Sequence, residues 1–272
     1  MTDRYAVIGH PVAHSRSPEI HAAFARECGQ DIEYMRLLAP LDEFVKTTDA
    51  FRNGGASGAN VTLPFKRDAF DYADVHSARA QRSRSVNTLI FERNEIVGDN
   101  TDGIGLCRDI VQNLGQTLRD ARILLIGAGG AARGVVGALL DCRPETLVIT
   151  NRTLAKAEKI VEEFAAENSF CAVDLTELHS RSFDVVINAT SAGLTGALPP
   201  MEKLCFSTNA LAYDMMYGKG QTAFLAFAAE HGARTADGLG MLVEQAAEAF
   251  FVWRGVAPST NPVIDLLRRP VA

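Results

Sequence analysis

Ile123-Leu124-Leu125-Ile126-Gly127-Ala128-Gly129-Gly130-Ala131-Ala132 sets the architecture of this chain. An apolar strand running into G-x-G-x-x-A and then a helix is the fingerprint of a dinucleotide-binding turn. Gly127 permits the tight turn, Gly129 lets the backbone approach a pyrophosphate, and Ala132 keeps the helix close to the strand. The helix directs its unpaired N–H groups and positive dipole end at the phosphates. The next apolar strand, 146–149, continues into Thr150-Asn151-Arg152-Thr153 and then Lys156. No carboxylate stands where an NAD-binding protein holds the ribose 2′-hydroxyl. Arg152 and Lys156 suit a 2′-phosphate instead, so NADP(H) is the expected cofactor. Without the turn upstream, the same basic tip would read as a solvated loop.

The turn lies mid-chain, leaving over a hundred residues before it for a different task. The 272 residues suit two modest domains. With 47% hydrophobic and 22% charged residues there is ample material for a core, and a net charge of −6 carries no nucleic-acid footprint. No apolar run approaches the roughly 18 residues that span a membrane, and the first residues enter a strand with no signal-peptide pattern. The five cysteines form no C-x-x-C and read as reduced thiols, which points to the cytoplasm. The six histidines show no ligand spacing, so no metal is expected.

Upstream of the turn, strands are expected at 5–9, 32–38, 58–62, 87–92 and 95–97. Helices are expected from Ser17-Pro18, with Ser17 as N-cap, from Asp42 as a cap to about Asn53, and from Pro64. A helix over 102–114 leads into strands at 123–126, 147–149, 170–173, 185–188, 210–214 and a short one at 234–235. Their apolar runs predict a parallel sheet covered on both faces. From Gly238 to Trp253, the spacing of Leu242, Gln245, Ala246, Ala249, Phe250 and Trp253 is helical. This helix is expected to return to the first domain.

Three polar segments remain. In Asn60-Val61-Thr62-Leu63-Pro64-Phe65-Lys66, Asn60 and Thr62 share a strand face and Lys66 follows about a turn later; Lys66 is a candidate acid–base group, or a solvated lysine at a helix start. In Gly98-Asp99-Asn100-Thr101-Asp102-Gly103, Asp102 by itself suits helix capping. In Ser15-Arg16-Ser17-Pro18, Ser17 suits a cap and Ser15 has no such role.

With Val7-Ile8-Gly9-His10-Pro11, Val86-Asn87-Thr88, Gly127 to Arg133, Asn151-Arg152-Thr153, Asn188 to Gly193, Asp214-Met215-Met216-Tyr217 and Gly238 to Gln245, these segments resemble the shikimate dehydrogenase family in order along essentially the whole chain. The resemblance implies NADPH-linked reversible reduction of 3-dehydroshikimate to shikimate, on the route to chorismate and the aromatic amino acids. It implies an α/β substrate domain, 1–102 with 238–272 returning to it, facing a doubly wound Rossmann-type NADP domain, 103–237, across a cleft. Lys66 and Asp102 would be the catalytic pair. Ser15, Ser17, Asn60, Thr62, Asn87, Tyr217 and Gln245 would line the substrate. Gly127, Ala128, Gly129, Gly130, Ala131, Asn151, Arg152, Thr153, Lys156, Thr190, Met215 and Gly238 would hold NADP. The implied partner is the small-molecule substrate, in a monomer or homodimer, with no nucleic acid and no membrane. Arg82-Ser83-Arg84-Ser85 departs from the small residues, often Gly-Ala, that the family carries before Val-Asn-Thr. A broader quinate/shikimate enzyme is one rival, which the basic tip disfavours where NAD is used. A non-catalytic NADP-binding regulator is another, and it should have lost Lys66 or Asp102.

Overall fold

The computed structural model describes residues 2–164, 169–190, 205–218 and 220–269. The chain divides into two compact units, Met1–Gly105 with Leu242–Ala272, and Leu106–Met241.

The first unit is built on a six-stranded mixed sheet. Its strands are β1 (Asp3–Gly9), β2 (Ile32–Leu38), β3 (Gly58–Val61), β4 (Val75–His76), β5 (Thr88–Phe91) and β6 (Ile96–Asp99), in the order β2-β1-β3-β5-β6-β4. β1 pairs in parallel with β2 and β3, whereas β5 runs antiparallel to both β3 and β6. Tyr5, Ala6, Val7 and Ile8 are all buried, so β1 is covered on both faces. Ala6 and Ile8 pack with Phe44 and Phe51 of α2 (Phe44–Asn53) and with Ala69 of α3 (Lys66–Tyr72). Tyr5, which points the other way, stacks on Trp253 with ring centroids 4.5 Å apart. Trp253 belongs to the long helix Leu239–Arg254, whose Phe250 meets Phe24 of α1 (Ser17–Cys28) edge-on. The Trp253 indole also donates to the Leu89 carbonyl at 3.1 Å.

Several helix starts differ from expectation. Arg16, not Ser17, occupies the N-cap position of α1, and neither α1 nor α2 has a side-chain cap hydrogen bond, so Asp42 does not cap α2. The third helix begins at Lys66 rather than Pro64, because residues 62–65 form a turn closed by Phe65 N–H donating to the Thr62 carbonyl at 3.0 Å. β4 and the one-and-a-half-turn α4 (Ala78–Ser83) were not expected. Ser77 caps α4 through the Ala80 N–H.

The second unit holds β7 (Arg122–Ile126), β8 (Thr146–Thr150), β9 (Phe170–Ala172), β10 (Ser182–Asn188), β11 (Cys205–Asp214) and β12 (Arg234–Asp237) in one sheet. The order is β12-β11-β10-β7-β8-β9, and every pairing is parallel. The chain winds outward from β7 in one direction and then in the other from β10, which is the doubly wound arrangement. Ile123 and Leu125 enter one core and Leu124 and Ile126 the other, as the strand period of two requires. The helix over 102–114 is α5 (Asp102–Arg108) followed by a π-helical turn, Asp109–Asn113. Buried Asp109 there accepts hydrogen bonds from Tyr213 at 2.6 Å and Asn113 at 3.0 Å. Among the described residues no helix is long and apolar enough to cross a membrane.

Candidate active site and nucleotide site

Three backbone elements of the first unit converge on Asp102. The β3–α3 turn delivers Lys66, the start of β5 delivers Asn87, and the loop after β6 delivers Asp102 itself. Lys66 Nζ donates to Asp102 Oδ2 at 2.6 Å, with the lysine side chain 17% exposed and the aspartate 2%. The other carboxylate oxygen, Oδ1, accepts from Asn87 Nδ2 at 2.8 Å. Asp102 therefore does not commit its carboxylate to the helix it begins. Asn87 Oδ1 in turn accepts the Thr101 N–H at 2.9 Å and the Thr88 hydroxyl at 2.9 Å. A buried carboxylate with a cation on one oxygen and an amide on the other is paired and held in one orientation.

Gln245 joins this group from the helix Leu239–Arg254, its Oε1 3.4 Å from Asn87 Nδ2. The approach depends on Gly105, because a Cβ there would stand 2.7 Å from the Gln245 backbone nitrogen. On the other side, Asn60 Nδ2 donates to the Asn87 carbonyl at 3.2 Å and to Thr88 Oγ1 at 3.1 Å. Asn60 Oδ1 accepts the Tyr34 hydroxyl at 2.7 Å. Ser15 donates to Ser17 at 3.1 Å, and Ser17 faces the Tyr34 phenol. Thr62 lies partly exposed on the β3–α3 turn. Lys66, Asp102, Asn87, Gln245, Asn60, Ser17 and Ser15 thus form one connected polar set within this unit, and Tyr217 belongs to the second unit. Tyr34 and Thr101 were not singled out from sequence. Thr101 lay inside a quoted motif, whereas Tyr34 carried no local signal.

Behind Asp102, Asp99 is buried and grasped by Arg79, with Nε to Oδ1 at 2.7 Å and Nη2 to Oδ2 at 2.6 Å. Ser77 also donates to Asp99, and Arg79 reaches Glu248 of the long helix at 2.7 Å. Burial works to raise the Asp99 carboxyl, but the Arg79 bonds and charge hold it below the usual carboxylate range.

In the second unit, the residues expected at the nucleotide cluster at the carboxyl ends of the strands. Gly127 has φ of 111°, a conformation side chains resist, and a Cβ there would stand 3.0 Å from the Thr190 side chain. Gly127 thus brings the turn after β7 against the end of β10, where the strand order reverses. The helix α6 (Gly130–Asp141) starts at Gly129 with no side-chain cap, and a Cβ on Gly129 or Gly130 would meet nothing within 4 Å. Its first N–H groups are left for an anion. Ala128 and Ala131 complete the turn. Two buried polar atoms flanking it, Thr150 Oγ1 and Asn188 Nδ2, have no hydrogen-bond partner. At the end of β8, Arg152, Thr153 and Lys156 are exposed, and Asn151 donates to the Thr153 carbonyl at 2.9 Å. Gly238 N–H donates to the Met216 carbonyl at 3.0 Å, setting Gly238 beside Met215 at the ends of β12 and β11. The uncapped helix start, the open glycines and the basic tip fit NADP(H). Of the motif 188–193, residues 191–193 lie outside the described residues.

A doubly wound nucleotide unit with a basic tip, carried on one chain with a lysine–carboxylate pair in a second α/β unit, defines an NADP-linked oxidoreductase. Family models described as shikimate dehydrogenase substrate binding domain, shikimate / quinate 5-dehydrogenase and shikimate 5′-dehydrogenase C-terminal domain match residues 7–89, 109–195 and 238–268. The chain belongs to the shikimate dehydrogenase family. A shikimate dehydrogenase (NADP(+)) of Nitrosospira multiformis is 56% identical over 269 residues, covering 98% of each chain. The crystal structure of an Ael1 enzyme from Pseudomonas putida superposes with a TM-score of 0.92 at 48% identity over 100% of both chains. That of the shikimate 5-dehydrogenase from Thermus thermophilus in complex with NADP(H) and shikimate gives 0.88 at 34% identity, covering 98% of this chain and 99% of that one.

Proposed function

We propose that this chain catalyses the reversible NADPH-linked reduction of 3-dehydroshikimate to shikimate in the cytoplasm, with Lys66 and Asp102 as its proton-transfer pair. The observation that carries the reading is the 2.6 Å contact between Lys66 and a buried Asp102 whose second oxygen is held by Asn87. When bound, NADPH supplies the hydride that reaches the carbonyl carbon. The Lys66 ammonium gives its proton to the carbonyl oxygen, which becomes the hydroxyl. In the oxidative direction neutral Lys66 takes that proton back. Asp102 keeps the lysine aimed and accepts a hydrogen bond from the reacting hydroxyl.

The remaining polar groups recognise a small ring rich in hydroxyls. Asn60, Thr62, Asn87 and Gln245 offer amide and hydroxyl partners, and the Ser15 and Ser17 hydroxyls with Tyr217 suit the carboxylate. Such a site rejects analogues lacking a hydroxyl, because its own polar groups would be left unpaired. Arg152 and Lys156 take the 2′-phosphate, with Asn151, Thr153 and Thr190 beside the nucleotide and Met215 and Gly238 toward its nicotinamide.

The test is shikimate oxidation at saturating NADP in Lys66→Ala, Lys66→Arg, Asp102→Asn and the Lys66→Ala/Asp102→Asn double variant. Acid–base assistance is worth roughly 10²–10⁴-fold, so Lys66→Ala should lower kcat by that factor. Lys66→Arg should not restore it, because a guanidinium does not give up its proton. The double variant should be little worse than its worse parent. Near-normal kcat in Lys66→Ala would remove the lysine from the mechanism. Rates with quinate and with NAD, measured alongside, separate this enzyme from one of broader specificity.

A further inference from the structure

We infer that Asp214 is a positioning residue for the nicotinamide end of the cofactor: its carboxylate ties the Met215-Met216 backbone, at the end of β11, to the helix Ala223–Glu230 through Thr222. The inference rests on the reading above that Met215 and Gly238 lie toward the nicotinamide.

Asp214 is the last residue of β11 and is fully buried. A carboxylate in that place is costly unless its oxygens are paired. Oδ1 accepts the Met216 N–H, two residues on, at 3.1 Å. This is an Asx turn, and it bends the chain as it leaves the sheet. Oδ2 accepts the Thr222 hydroxyl at 2.6 Å. Thr222 Oγ1 in turn caps the helix Ala223–Glu230 by accepting the Leu225 N–H at 3.3 Å. That helix buries Phe224, Leu225 and Ala228 in the core beneath the sheet, so it is a fixed anchor. An asparagine would serve for the turn alone, because it has one accepting atom. A carboxylate has two, and the second makes the tie to Thr222.

The same stretch is held from two other sides. The Met215 N–H donates to the Asn188 carbonyl at 3.0 Å, and the Met216 carbonyl accepts the Gly238 N–H at 3.0 Å. A Cβ on Gly238 would stand 2.7 Å from the Met215 carbonyl carbon, so glycine lets the end of β12 close on this turn. Asn188 and Gly238 hold it by main-chain bonds. Asp214 holds it by a side chain, at a place where a shift of about 1 Å in a contact is costly.

Titration calorimetry with NADP and with 2′-phospho-ADP-ribose, which lacks only the nicotinamide, tests the role. Asp214→Ala loses both bonds and should weaken NADP about tenfold. Asp214→Asn and Thr222→Val keep the turn, lose the tie and should weaken it about threefold. Thr222→Ser should bind as the native protein does. In every variant the Kd of the fragment should stay within about twofold. A merely structural role would lower Tm and weaken both ligands alike. In the native protein the Met215 methyl resonance, assigned by its loss in Met215→Leu, should move with NADP and not with the fragment. A Met215 signal that ignores NADP would overturn the reading that places this residue at the nicotinamide. A signal that moves, together with native NADP affinity in Asp214→Asn and Thr222→Val, would overturn the positioning role alone. Equal weakening of NADP and the fragment would overturn it too.

Discussion

Replacing Arg79 by methionine tests how the buried Asp99 supports the loop that ends in Asp102. The side-chain stem is kept and the guanidinium is lost. Asp99, whose side chain is 6% exposed, then loses two charge-assisted bonds of 2.6 and 2.7 Å and retains Ser77 and the Asn100 N–H. Stranding one member of a buried pair costs about 3–5 kcal/mol. Arg79 is one-third exposed, so water replaces part of what is lost, and about 3 kcal/mol is the expected cost at neutral pH. At roughly 2–4 °C per kcal/mol for units of this size, Tm should fall by about 6–12 °C. Asn100, Thr101 and Asp102 follow directly on Asp99, so kcat at 25 °C should drop roughly tenfold or more through misplacement of the carboxylate. The pH dependence provides a second check. In the native protein Asp99 titrates below its ordinary value, so its contribution is present above that value and lost as pH falls through the lowered one. In Arg79→Met, burial without a cation raises the carboxyl, which then protonates at mildly acidic pH and relieves the cost. The gap in Tm between the two proteins should therefore narrow from pH 7 to pH 5. Calorimetry across pH reads both quantities. A Tm within about 2 °C of native at pH 7, or a gap that widens on acidification, would overturn this account of Asp99.

Three further outcomes are expected. Arg152→Ala should weaken NADP binding about ten- to a hundredfold and spare NAD, since it removes a charge-assisted contact to a phosphate that NAD lacks; equal losses for both cofactors, by titration calorimetry, would contradict this. Burial pushes His21 down from 6.5 to about 3, so below pH 6.5 the unfolded chain takes a proton that the folded one refuses. Stability should fall toward acid by up to about 1.4 kcal/mol per pH unit in that window, and His21→Phe should flatten the slope of urea-unfolding stability against pH by up to one proton. Arg84 sits at φ of 47° and ψ of 41°, a conformation that costs a residue with a Cβ about 1–2 kcal/mol. Arg84→Gly should gain about 0.5–1 kcal/mol after the added freedom of the unfolded chain is deducted, measured by chemical unfolding.

Features that depend on neighbouring residues were legible along the chain alone. The run 123–132 specified strand, turn and helix because each requirement falls on one position: positive φ at Gly127, an open backbone at Gly129, and a small side chain at Ala132, which is fully buried. The basic tip at Arg152 was legible because the strand before it fixes where a ribose contact must stand. The polar motifs around Lys66, Asn87 and Asp102 were legible as segments, but chemistry alone left Lys66 open between an acid–base group and a solvated lysine, and suited Asp102 to a helix cap. Their pairing came from the packing of distant segments. The strand order β3-β5-β6 sets residues 60, 87 and 102 beside one another, and that adjacency depends on sheet pairing between distant parts of the chain. For the same reason Tyr34 on β2 showed no sign of its bond to Asn60, nor Arg79 of its hold on Asp99 and Glu248, 20 and 169 residues away. The two-residue β4 and the short α4 were missed because neither is long enough to show a period, so each exists only where β6 and the Ser77 cap give its backbone a partner.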